Sequence, residues 1–254
     1  MSAICHRCGA FDPSGIVFRG ERIPFCSTRI YCPKCHVRLE EKCLLGILVL
    51  NVGLGLIGFL SLWLNPSSLV GRVFANLLLL QLVLIPSTVV HEFAHAIVGR
   101  LSGLTVLRVW IGRGKTFCRA NVFGFDTKFK TIPMGGFAFL SHGIETKLRL
   151  RYFLAILAGP LSNLIILMCA WNLAAWREFD WGRSIQLRNL IVVVQIMILV
   201  ENLLPYRIQT AVGRISTDGR TLLQLILSKS PDVLNPNYGF RVVNHTSQPQ
   251  TFTK

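Results

Sequence analysis

Acidic residues are scarce in this chain: 12 Asp and Glu stand against 27 Lys and Arg, and charge of both signs amounts to 15% of 254 residues. An ordinary soluble domain carries about 25% charge, so too little of this chain can face water and a soluble globular domain is excluded. A cleavable signal peptide is not expected either. The first 43 residues are polar and cysteine-rich rather than a short basic region followed by an apolar stretch. The first apolar segment is therefore expected to anchor the mature protein. No internal repeat is visible, so an array of like units is not expected.

What the chain has in abundance is apolar length. Hydrophobic residues make up 52% of it, and its mean hydropathy is +0.51. A helix needs about 20 mostly apolar residues to cross the hydrocarbon core. Four windows qualify: Leu44 to Leu64, Val73 to Gly103, Tyr152 to Trp176, and the shorter Leu187 to Leu204, which carries Gln195, Glu201 and Asn202. The expected fold is an α-helical integral membrane protein with about four transmembrane helices. The net charge of +15 could suggest nucleic acid, but its distribution reads as topology. Ten Lys and Arg from Arg100, near the end of the second window, to Arg151, just before the third, face only Asp126 and Glu145, whereas the opposite connections are nearly balanced. That excess predicts a cytoplasmic loop and two cytoplasmic termini. The expected partners are the lipid bilayer and a membrane-protein substrate, with no nucleic acid.

Residues 1–43 contain Cys5-x2-Cys8 and Cys32-x2-Cys35, with 23 residues between the pairs. Paired knuckles of this kind read as a zinc ribbon, in which four thiolates close a tetrahedron around one structural zinc. Free or disulfide-bonded cysteines are the alternative, and Cys26, Cys43, His6 and His36 are possible substitute ligands. Between the second and third windows the period changes to two: Phe125 to Thr131 alternates apolar or Thr with charge, and Thr105 to Ile111 and Thr116 to Phe123 are similar. A small antiparallel sheet over 104–141, at the cytoplasmic face, is predicted. The domain reading is thus a ribbon module over 1–43, a membrane domain over 44–227, and a poorly ordered tail over 228–254.

The chemistry-bearing motif is His91-Glu92-Phe93-Ala94-His95. Histidines four apart share one helix face and can hold a single zinc, with a third protein ligand and a water in the open position. Glu92 is placed to take a proton from that water as it attacks a peptide carbonyl. The setting sharpens the reading, because ionisable groups beside an apolar run such as Leu77 to Val90 are costly and mark function. Spacing alone leaves the third ligand open among Asp126, His142, Glu145, Glu201, Asp218 and Asp232.

Three further runs accompany this motif: Ala158-Gly159-Pro160-Leu161-Ser162-Asn163, Asn202-Leu203-Leu204-Pro205 followed by Asp218-Gly219, and Pro133-Met134-Gly135-Gly136-Phe137. Together and in this order, over residues 73–227, they resemble the site-2 protease family of intramembrane zinc metalloproteases. The resemblance implies His91, His95 and Asp218 as zinc ligands and Glu92 as the base. It also implies Asn163 at the substrate or its oxyanion, and Gly135 and Gly136 at the substrate. Asn202 either contacts substrate or positions the Asp218 loop. A compact, cytoplasm-facing enzyme of this kind suggests a bacterial inner membrane.

Two features depart from the family pattern. Twelve residues, Tyr206 to Thr217, separate Pro205 from Asp218, where better-known members have only a few, and Asp218 could instead cap a helix. Glu201 is the other departure and the alternative third ligand. Rival functions are a silent scaffold, a metal transporter, or a membrane tether for the ribbon.

Overall fold

A computed structural model of the chain describes residues 3–4, 8, 11–12, 33–141, 147–172, 180–181, 185–210 and 213–227. Two two-residue strands, β1 (Ala3–Ile4) and β2 (Phe11–Asp12), pair near the N-terminus. Helix α1 (Pro33–Leu64) begins well before the apolar window that starts at Leu44, so Cys35 and Cys43 lie within it. Helix α2 (Leu69–Leu101) follows after a tight connection. The Ser68 hydroxyl accepts from the Gly71 amide at 3.1 Å and fixes the start of α2. Its end is set by Gly103, which takes φ +81° so that Gly103 N–H reaches the Arg100 carbonyl and Leu104 N–H the Gly99 carbonyl.

The sheet comes next, as a long hairpin of β3 (Thr105–Val122) and β4 (Phe125–Ser141) turned at Phe123-Gly124. Both strands bend back on themselves. Val109 lies opposite both Ala138 and Thr127, and Ile111 opposite both Gly136 and Phe129, so the Val109 to Ile111 stretch is paired on both sides. The predicted small antiparallel sheet is therefore present, formed by Thr105–Val122 and Phe125–Ser141. Helix α3 (Leu148–Asn172), the short strands β5 (Asp180–Trp181) and β6 (Ile185–Gln186), helix α4 (Leu187–Leu203), the hairpin β7 (Arg207–Thr210) and β8 (Gly213–Ser216), and helix α5 (Asp218–Leu227) complete the order.

Among the described residues, three helices are long and apolar enough to cross a membrane, over Lys42–Leu64, Leu69–Leu101 and Leu148–Asn172. Helix α4, at 17 residues, is about 25 Å long, against a hydrocarbon thickness of about 30 Å. The outer faces suit lipid: Leu50, Leu56 and Leu64 on α1 are 61%, 60% and 73% exposed, among many other exposed large apolar side chains on α1 and α2. Inside, α2 packs against α1, α3, α4 and the hairpin. Two buried clusters flank it. Phe93 and Ala96 meet Val109, Ile111, Phe125 and Ala138 of the sheet, while Tyr152, Ala155 and Ile156 of α3 meet Leu140, Leu222 and Leu225. The expected ribbon cannot be followed: Cys8 is exposed, Cys35 lies in α1, and Cys5 and Cys32 fall outside the described residues. The 228–254 tail falls outside them as well.

Candidate metal centre

The step of four residues puts His91 and His95 on one face of α2, and that face turns into the bundle. His91, Glu92 and His95 are 3%, 7% and 7% exposed. The two imidazoles meet edge to face, with centroids 4.7 Å apart. Asp218, the first residue of α5, completes the group: its Oδ2 lies 3.1 Å from His91 Nε2 and 3.3 Å from His95 Nε2, and the two Nε2 atoms are 3.1 Å apart. Zinc bonds of about 2.05 Å in a tetrahedron set ligand atoms about 3.3 Å apart, so this triangle has the right size.

The donors also carry lone pairs where a metal needs them. His95 Nδ1 donates to the Ala155 carbonyl at 2.8 Å. A carbonyl can only accept, so the ring hydrogen sits on Nδ1 and Nε2 is free to ligate. His91 Nδ1 likewise lies 2.5 Å from Asn163 Oδ1. Two imidazole lone pairs and a carboxylate oxygen crowded together in a buried site call for a cation among them, and three protein ligands leave the open fourth position of a catalytic zinc. Among the described residues, His91, His95 and Asp218 are the group of His, Cys, Asp and Glu able to hold a metal.

The other third-ligand candidates lie elsewhere or outside the described residues. Asp126 is taken by Arg108 and Arg119, each at 2.6 Å, and Glu201 is exposed on α4. His142, Glu145 and Asp232 are outside the described residues. The idea that Asp218 merely caps a helix is corrected by its neighbour. Thr217 does the capping: its carbonyl accepts from Thr221 N–H and its hydroxyl lies 3.4 Å from Arg220 N. Asp218 is thereby left free to face the histidines.

The twelve extra residues before Asp218 turn out to cost no distance. Their described residues form the paired strands β7 and β8, whose outer ends are side by side: Thr217 N–H donates to the Tyr206 carbonyl at 3.2 Å and the Thr217 hydroxyl to the Leu204 carbonyl at 2.6 Å. The far end of α5 is held by Arg149 of α3, which donates to the carbonyls of Leu225 and Ile226.

A profile of peptidase family M50 matches residues 79–209, just over half of the chain. The chain belongs to peptidase family M50. Among the described residues it carries several apolar helices, as a membrane-embedded member of that family requires. A protein of Neisseria meningitidis serogroup A, provisionally named as a zinc metalloprotease, is 28% identical over 120 residues. The match covers 42% of this chain and spans 25% of that relative's length.

Within this M50 peptidase the glycines of the motifs have a common physical explanation. A Cβ on Gly159 would overlap the His95 imidazole and stand 2.8 Å from His91 Cε1, so its absence lets α3 lie directly on the metal-facing rings. A Cβ on Gly219 would run into the backbone of Leu203, and one on Gly136 into the Glu92 carboxyl. Gly136 thus brings the sheet against Glu92, whose carboxylate also receives a hydrogen bond from the Ala138 backbone. Gly135, with φ +69°, turns toward Arg113.

Asn163 is fully buried, with its oxygen on His91 and its Nδ2 donating to Gln195 Oε1 at 2.6 Å. The Asn202 amide donates to the Ile198 carbonyl of its own helix at 3.0 Å. Sequence reasoning missed Gln195, Arg149, Thr217 and the Ala155 carbonyl. Gln195 did carry a signal, being a polar side chain in an apolar span; the Ala155 carbonyl carries none, because a backbone acceptor leaves no mark in the sequence.

Proposed function

We propose that this M50 peptidase is an intramembrane zinc metalloendopeptidase that cuts peptide bonds in or near transmembrane segments of other membrane proteins. The observation that carries this reading is the convergence of two imidazole nitrogens and a carboxylate oxygen, beside a buried glutamate, inside a bundle whose outer surface is apolar. His91, His95 and Asp218 hold the metal. Bound zinc supplies a Lewis acid that polarises the scissile carbonyl and acidifies water. Glu92 takes one proton from the attacking water as its oxygen bonds to the carbonyl carbon, then delivers that proton to the amine nitrogen as the C–N bond breaks.

The substrate has to arrive extended, because a helix shields its own carbonyls. Segment 136–141 pairs with Thr105 to Ile111 on one side, and among the described residues no strand pairs on its other side. Ala138 puts this segment at Glu92. A substrate strand added along it, past Gly135 and Gly136 and toward Asn202, has its carbonyl delivered to the base. In the proposed topology α4 is a fourth crossing and both termini are cytoplasmic, in a bacterial inner membrane. A second, structural zinc is assigned to Cys5, Cys8, Cys32 and Cys35.

The test is cleavage of a membrane-spanning substrate by the purified chain. Glu92→Gln is expected to keep its zinc and lose cleavage, whereas Asp218→Ala loses both. Normal zinc in Asp218→Ala, with loss in Glu201→Ala, would overturn the ligand set.

A further inference from the structure

A line of buried polar side chains leaves the metal centre and crosses the bundle, and the mechanism above does not use its far end. From His91 Nδ1 it passes to Asn163 of α3, on to Gln195 of α4, and back to Ser87 of α2, where Gln195 Nε2 donates to Ser87 Oγ at 2.8 Å. Ser87 Oγ donates in turn to the Val83 carbonyl at 2.8 Å. Asn163 and Gln195 are fully buried and Ser87 is 5% exposed, so water offers none of them a substitute partner.

We infer that Gln195 is a positioning residue of the metal centre, acting through Asn163 to keep the Nε2 lone pair of His91 aimed at the metal. The inference rests on the reading of His91 as a zinc ligand. A chain of amides can run in either of two directions, because each amide has a donor end and an acceptor end. In one direction Ser87 donates to Gln195, Gln195 donates to the Asn163 oxygen, and the Asn163 NH2 faces His91. His91 Nδ1 must then accept, and its hydrogen moves to Nε2, where it blocks the metal. In the other direction every group is reversed and Nε2 is free. The Val83 carbonyl decides between them. It can only accept, so it draws the Ser87 hydrogen; Ser87 Oγ then accepts from Gln195, Gln195 Oε1 accepts from Asn163, and Asn163 Oδ1 accepts from His91. His95 needs no such relay, because its Nδ1 meets a backbone carbonyl directly. The two ligands thus reach one tautomer by different means, and the one made by side chains is open to mutation.

The test uses the full chain purified in detergent, with zinc affinity measured by competition against a chelator. A His91→Ala control gives the metal held elsewhere in the chain. Gln195→Met, similar in volume but apolar, is expected to weaken the site about 10- to 100-fold, the usual effect of removing an outer partner of a zinc histidine. Gln195→Glu restores near wild-type affinity, since its carboxyl oxygen still accepts from Asn163 Nδ2. Asn163→Asp offers His91 an acceptor whichever way it turns, so adding Gln195→Met to it changes little. Ser87→Ala removes the direction-setting hydroxyl and is expected to weaken zinc by about fivefold, the worth of one hydrogen bond; it carries the test should Gln195→Met fail to fold. Unchanged zinc affinity in Gln195→Met with lowered thermal stability would reduce the relay to helix packing and overturn the inference. So would an equal loss in the Asn163→Asp background, or unchanged affinity in Ser87→Ala. If His91→Ala keeps its full zinc, the ligand assignment itself falls, and this inference with it.

Discussion

Gly159 of α3 lies against His95 of α2 with room for a hydrogen and nothing larger. Here α3 meets the helix that carries both histidines, and the contact is between backbone and imidazole. The neighbour that would have to give is a ring already fixed by its bond to the Ala155 carbonyl. Gly159→Ala is therefore expected to lose zinc by more than tenfold and cleavage with it, while the helices still form. Zinc content together with circular dichroism checks this; a variant that binds and cleaves normally would show that the rings are free to move aside.

The second close approach sets the third ligand. A side chain on Gly219 would meet backbone atoms of Leu203, which have nowhere to go. Overpacking of this sort costs about 1–3 kcal/mol or more. Gly219→Ala should displace α5 and match Asp218→Ala in zinc content, although it leaves the carboxylate in place.

At its other end α5 is held by Arg149, whose guanidinium donates to two carbonyls of the last turn. Arg149→Met keeps most of the side-chain length and removes the donors. Partly exposed bonds of this kind are worth about 1 kcal/mol. The expected result is a several-fold weaker zinc affinity, with Arg149→Lys in between. Zinc affinity equal to wild type in Arg149→Met would mean α5 is seated by its apolar face alone.

The β7–β8 hairpin brings Tyr206 beside Thr217, so the residues between them should be dispensable for the metal. Replacing residues 208–215 with two glycines is expected to leave zinc binding and cleavage close to wild type. A large loss of zinc in that variant would give the insertion a role in the site.

Acid should loosen the long hairpin near its tip. Hydrogen bonds from Arg119 and then Arg108 hold the Asp126 carboxyl below its ordinary value of 3.8. The folded form thus favours the carboxylate. Its contribution is fully present above the ordinary value and is lost as pH falls through the lowered one. Amide exchange around Asn121 to Asp126, corrected for intrinsic rates, should therefore be level from pH 7 to about 5 and rise below the ordinary carboxylate range. Asp126→Asn should remove that dependence.

Much of this was legible because it was local. His91 and His95 are one helical turn apart, so a short motif specifies both donors and the base. The alternation around Asp126 gave the strands for the same reason. Asp218 is 127 positions from His91, and spacing could not choose it from six candidates; the resemblance singled it out. The helix ends were displaced for a different reason. Hydropathy marks the stretch compatible with lipid, whereas the backbone stops where caps allow, so α2 starts after Ser68 rather than at Val73, and α3 takes in Arg149 and Arg151 before the apolar run begins. Gln195 was visible only as a blemish in the weakest span. Its meaning depends on Ser87, 108 positions away, and on Asn163.

Asp218 is delivered to the histidines by a ten-residue helix seated through Leu222 and Leu225 on Tyr152 and Ile156. The donor set is complete only when that helix is docked. Metal occupancy and docking of α5 are therefore linked equilibria, each strengthening the other by the same factor. Whatever holds or releases this small element from outside governs catalytic competence without touching the motif on α2.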